Sequence, residues 1–182
     1  SAPRAADPLR AMREFVDRCQ GDRRHVEQVR VIGLTLFDRL CEAVGADSEE
    51  RPLLEAACLL HDVGQVVSYR KHHRHSFQLI MHAERLNFTS RDRYLVALIS
   101  RYHRRRGPSR KDPEFARLSH SEQDIVRRLA GILRVADGLD RGHTSAVDRV
   151  STRLTAERLS IRATPKLRGA DLGLECWGAA KK

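Results

Sequence analysis

The chain has 182 residues, 41% of them hydrophobic and 5% aromatic, which fits one domain with a mainly aliphatic core and hardly two. No stretch approaches the ~18 uncharged apolar residues of a membrane helix, and Ser1–Asp7 lacks the apolar run of a secretory signal, so a soluble chain is expected. Lys and Arg number 34 against 24 Asp and Glu, a formal net charge of +10 that suits phosphate-rich partners but singles out none of them. Only five of the 34 are lysines, and the arginine fork grips phosphate oxygens through two parallel hydrogen bonds.

Asp7-Pro8 opens the first predicted helix, a capping carboxylate followed by proline at the first helical position. Leu9, Met12, Phe15, Val16 and Cys19 then follow at spacings of three and four. After Gly21-Asp22 a longer helix is predicted from about Arg23 to Val44, with His25 on the edge of its stripe of Val29, Ile32, Leu36 and Leu40. The next carries Leu53, Leu54, Ala57, Cys58 and Leu60 up to His61-Asp62 and is expected to end at Gly64. A basic, His-rich loop runs from Ser68 to about Arg74, and helices follow near His75–Leu86 and Ser90–His103. The run Arg104–Lys111 reads as loop. Ser119 and Glu122 make a capping-box pattern that opens a long helix through Ile125, Leu129, Leu133 and Ala136, with Asp137 on the face of Leu133.

Beyond Gly142 the period changes to two. Val150, Thr152 and Leu154 alternate, as do Leu159, Ile161 and Ala163, then Leu172, Leu174 and Cys176, which predicts three short antiparallel strands. The expected fold class is mainly α: about six helices over residues 1–142, then a small C-terminal antiparallel β-sheet over residues 143–182 packed on the same domain. Its tail would stop just after a strand, as in a truncated chain. Cys19, Cys41, Cys58 and Cys176 show no C-x-x-C spacing, so neither a disulfide framework nor a thiolate zinc site is expected, and a reducing cytoplasm suits the chain.

Four residues carry the chemistry: His25, the adjacent His61 and Asp62, and Asp137. Each lies on the apolar side or at the end of a predicted helix, where an unpaired polar group is costly. Imidazole nitrogens and carboxylate oxygens converging from three helices suit a divalent ion such as Mn, Fe, Zn or Mg. Four protein ligands leave positions open if the ion takes five or six, and an open position is what hydrolysis requires. Structural readings stay open beside this one. His61 could answer to a helix dipole, Asp137 could pair with Arg134 or Arg141, and Asp140 with Arg141. His72, His73, His82, His120 and His143 are expected on the surface.

The series His25, Leu59-Leu60-His61-Asp62-Val63-Gly64, His75, Arg101-Tyr102-His103 and Ala136-Asp137 resembles the HD superfamily of metal-dependent phosphohydrolases. Leu36-Phe37-Asp38, the segments 55–64, 68–76 and 98–104, and Leu133 to Arg141 are similar to the C-terminal HD-like domain of exopolyphosphatase/guanosine pentaphosphatase (Ppx/GppA) proteins, over residues 10–178. The resemblance implies a helical HD fold, metal ligation by His25, His61, Asp62 and Asp137, and a second metal at His75 and His103. Asp62 would double as ligand and proton acceptor. It also implies that exopolyphosphatase activity resides in two N-terminal actin-like domains of a longer chain.

One position departs from the pattern. Gln65 stands where many active HD phosphohydrolases carry a phosphate-holding Lys, so Arg70, Lys71, Arg74, Arg101 and Arg104 are the candidates for that contact. Two readings follow: a metal-dependent hydrolase of nucleotide or polyphosphate anions, or a non-catalytic accessory domain that binds a polyanion or joins two subunits. Specific nucleic-acid binding is not expected, because no DNA-reading motif or aromatic cluster accompanies the charge.

Overall fold

The computed structural model describes residues 7–182. Helix α1 (Pro8–Arg18) begins as its first residues dictate, the Asp7 side chain accepting the Leu9 N–H at 3.1 Å. In α2 (Arg23–Leu40) Asp22 plays the same part, accepting the His25 N–H at 3.0 Å and so fixing where the first turn of that helix starts. Helix α3 (Arg51–Leu60) is buried on almost every side: Leu53, Leu54, Ala56, Ala57, Cys58, Leu59 and Leu60 all face protein. A helix apolar all round takes the centre, and α1, α2, α5 (Ser90–Arg101) and α7 (His120–Gly138) pack around it.

The remaining helices are α4 (His72–His82), the four-residue α6 (Pro113–Ala116) and α8 (Gly173–Ala180). The capping box of α7 forms, Ser119 and Glu122 each receiving the other's backbone N–H. Two antiparallel strands, β1 (Val147–Leu154) and β2 (Leu159–Pro165), make a hairpin in the register Leu154 opposite Leu159, with a bulge between Val147 and Arg149. Buried Val147 and Val150 seat it on the core, and Gln28 of α2 donates to the Val147 carbonyl at 2.6 Å. The fold is thus mainly α with a small C-terminal sheet, and no helix among the described residues is long and apolar enough to cross a membrane.

The third expected strand is instead α8. The apolar residues at 172, 174 and 176 alternate, but Leu174 and Cys176 are exposed. What the structure buries is Leu172, Glu175 and Gly178, a period of three that belongs to a helix. Helix α8 lies directly on α7 because both are bare at the crossing. A Cβ on Gly138 would fall 2.7 Å from the Ala179 backbone, and one on Gly178 would fall 2.7 Å from the Gly138 carbonyl.

Helix ends shift as well. Helix α4 starts three residues earlier than the composition suggests, behind Lys71 in the left-handed region at φ 63°. Helix α3 stops at Leu60, and Gly64 sits inside a separate short turn, Val63–Val66, rather than capping it. Its lack of a side chain serves a close approach, since a Cβ there would lie 2.2 Å from the His72 carbonyl oxygen and 2.3 Å from the Ser76 nitrogen. The Ser76 hydroxyl completes the joint, donating to the His61 carbonyl at 2.6 Å and accepting the Gly64 N–H at 2.9 Å.

Candidate metal centre

One end of each of five helices meets at the same point. His25 comes from the first turn of α2, His61 and Asp62 from the C-terminus of α3, His72 from the N-terminus of α4, His103 from just beyond α5, and Asp137 from the last turn of α7. Two groups of potential ligand atoms share Asp62: His25, His61 and Asp62, and Asp62, His72 and His103, each set lying within 4.8 Å. Asp137 Oδ1 stands 3.5 Å from His25 Nε2 and 3.7 Å from His61 Nε2. The four side chains singled out from the sequence are therefore neighbours in space.

The donor set fits a divalent cation through its tautomers. His25 Nδ1 is 2.8 Å from Asp140 Oδ2, His61 Nδ1 is 2.8 Å from the Cys58 carbonyl, and His103 Nδ1 is 2.6 Å from the Ser100 carbonyl. Those oxygens only accept, so each Nδ1 carries the proton and each Nε2 presents a lone pair. His72 Nδ1 lies between the Tyr69 carbonyl at 3.0 Å and Arg104 Nη1 at 3.3 Å, and the shorter contact gives it the same tautomer. His25 Nε2 and His61 Nε2 are buried with no hydrogen-bond partner. His72 Nε2 and His103 Nε2 face each other at 3.1 Å, both near Asp62 Oδ1, at 3.0 and 3.4 Å. Buried lone pairs turned toward one another and toward carboxylates repel unless a cation lies among them.

The electrostatics agree. Burial works against ionising Asp62 and Asp137, yet His61, His103 and His72 hold the first carboxyl, and His25, His61 and His103 the second, well below the usual carboxylate range. Burial also disfavours a charged His25, but Asp137, Asp140 and Asp62 outweigh it and carry that imidazole up to about 10. A field that favours a proton on His25 Nε2 favours a metal ion in the same place.

His75 is not part of the centre. It lies half-buried one turn along α4, and His72, expected on the surface, stands beside His103 instead. The earlier start of α4 is the reason. Asp140, three residues beyond Asp137, is fully buried between His25 and the Ser145 N–H, 2.7 Å away, rather than paired with Arg141. Gln65 donates to Asp62 Oδ2 at 2.6 Å and so orients the carboxylate. A lysine does reach the centre from the far end of the chain, Lys182 Nζ lying 2.9 Å from Asp137 Oδ2. His143 stacks on His25 at 3.7 Å between ring centroids.

Asp62, His72, His103, Asp137 and His143 line an opening of about 130 Å³ together with Gln65, Tyr69, Arg104 and Arg141. Next to it Arg70, Lys71, Arg74, Arg101 and Arg104, the five candidates for a phosphate contact, border one cavity of about 380 Å³ with Arg105 and Arg106. Arg101 is held in place, 3.1 Å from Glu114 and against the rings of Phe77 and Tyr102. Three of the five non-glycine residues with left-handed backbone among the described residues, Lys71, Arg105 and His143, line these two openings, where strain is characteristically stored.

Residues 9–167 match the family model described as Ppx/GppA phosphatase, domain III. Three proteins named guanosine-5'-triphosphate,3'-diphosphate pyrophosphatase are similar to this chain. That of Pseudoalteromonas atlantica is 31% identical over 63% of the chain and 22% of its own length. That of Aeromonas hydrophila is 28% identical over 73% and 25%, and that of Vibrio campbellii 29% over 81% and 29%. The chain spans less than a third of the length of these relatives.

Proposed function

Because this chain belongs to the Ppx/GppA phosphatase family, as its domain III, we propose that the centre is an HD-type metal-dependent phosphohydrolase site acting on nucleotide or polyphosphate anions. The supporting observation is the pair of orphaned Nε2 atoms, on His25 and His61, buried beside Asp62 and Asp137 with their Nδ1 protons already committed. His25, His61, Asp62 and Asp137 would hold one divalent ion, manganese, iron, magnesium or zinc, and His72 and His103 would extend the site toward a second through Asp62. Such an ion, when bound, activates water and neutralises charge developing on phosphorus.

The chain's own side chains do the rest. Asp62, buried and oriented by Gln65, accepts a proton at its carboxylate while remaining a ligand. Arg104, shared by the small opening and the basic cavity, passes a phosphate from one to the other. Arg70, Lys71 and Arg74 are free to follow an anionic chain leading away.

Elemental analysis of protein purified without added metal is expected to find a transition metal that His61→Ala and Asp62→Ala lose. Phosphate release from a panel of nucleoside polyphosphates should appear with manganese and vanish with chelator. Unchanged metal content in both variants would overturn the reading. Salt-sensitive polyphosphate binding with no metal-dependent release would leave an accessory polyanion-binding domain.

A further inference from the structure

On the other side of Arg104, a recess of about 250 Å³ is bordered by Arg105, Arg134, Arg141, Lys181 and Lys182, with Trp177 as its aromatic wall. Trp177 lies on α8 and is 49% exposed, unusual for the largest apolar side chain. Its ring already draws cations: the Arg141 guanidinium stands 5.6 Å from the centroid and the Lys181 ammonium 4.7 Å. The bare crossing at Gly138 and Gly178 fixes α8, and so the indole, against α7.

A half-exposed indole with the exposed Arg141 and Lys181 side chains over its ring offers a base a stacking face once one of them swings aside, and positive charge for phosphates. Inorganic polyphosphate has no π-face to use it. The recess is smaller than the ~300–1,000 Å³ of sites that enclose a whole ligand, so it takes one part of a longer molecule. Arg104 and Arg141 border both this recess and the metal opening, which makes the two contiguous.

We infer that Trp177 is a nucleobase platform: the domain binds a nucleoside polyphosphate with its base against the indole and its phosphates running over Arg104 and Arg141 toward the His/Asp centre. Only the destination of the phosphates rests on the phosphohydrolase reading; the stacking needs no metal.

Trp177 is the chain's single tryptophan, so its fluorescence reports on this recess alone. Titrating chelator-treated protein with GTP, excited at the red edge of indole absorption, is expected to quench the emission saturably, whereas tripolyphosphate binds without comparable quenching. Trp177→Ala should weaken GTP binding, measured by calorimetry, roughly tenfold or more and leave tripolyphosphate binding within about twofold. Trp177→Phe, which keeps a π-face, should recover most of the GTP affinity. Absent quenching by GTP, equal quenching by tripolyphosphate, or equal loss of both ligands in Trp177→Ala would overturn the inference. Quenching retained in His61→Ala supports the platform even where the metal reading fails.

Discussion

A single carboxylate decides which nitrogen of His25 faces the centre. Asp140 is fully buried, holds His25 Nδ1 at 2.8 Å and takes the Ser145 N–H at 2.7 Å, so its two oxygens are both committed. Groups of this kind fix the ring's orientation and raise its basicity, and their loss costs about 10–100-fold in metal affinity. Asp140→Asn is therefore expected to weaken metal binding by roughly that factor, read by competition against a chromogenic chelator, although residue 140 lies outside the proposed ligand set. An affinity within twofold of the native protein's would remove Asp140 from the centre. Its position three residues beyond Asp137 puts both carboxylates on the His25 side, a spacing that marks the pair in the sequence.

At the scale of elements, the joint between the turn after α3 and the start of α4 brings His72 to Asp62. Gly64 lies against the His72 carbonyl and the Ser76 nitrogen with no space for a Cβ, and the Ser76 hydroxyl bonds across the gap. Backbone atoms cannot swing aside as a flexible side chain would. Gly64→Ala is expected to destabilise the fold by about 1–3 kcal/mol through overpacking and to push His72 away from Asp62. Denaturant unfolding measures the first effect. Metal stoichiometry measures the second, with the proposed ligands from α2, α3 and α7 still in place. Native stability in Gly64→Ala would show that α4 is free to move.

Over the whole molecule, the positive surplus and the buried histidines set how stability follows pH. Burial, helped by His103, His72, Arg74 and Arg104 around it, pushes His73 down to about 4. In the unfolded chain that imidazole protonates near 6.5, so between about 6.5 and 4 the unfolded state binds more protons and stability falls as pH drops. His103, lowered chiefly by burial, acts in the same direction. His25 acts oppositely: raised to about 10, it contributes stability that is complete below 6.5 and lost as pH rises toward 10. Asp62 and Asp137 enter only below the ordinary carboxylate range. Metal-free protein should melt at its highest temperature near pH 6.5, and His73→Gln should flatten the acid side. An acid limb equally steep in that variant would take His73 out of the account.

Local rules were enough for the helical class, the caps at Asp7 and Ser119, the hairpin, and the nearness of His25, His61, Asp62 and Asp137, because apolar periodicity and costly buried polar groups are written into short stretches of sequence. Three features needed the assembled molecule. Helix α8 hides behind alternating leucines, since its buried face is set by α7 at Gly138. The choice of His72 over His75 depends on a left-handed Lys71 that starts α4 early, and only packing against Gly64 imposes it. The use of Asp140 behind His25 and of Lys182 beside Asp137 follows from contacts across 115 and 45 positions, partners that no local pattern records, whereas Gln65 reaches Asp62 from three residues away.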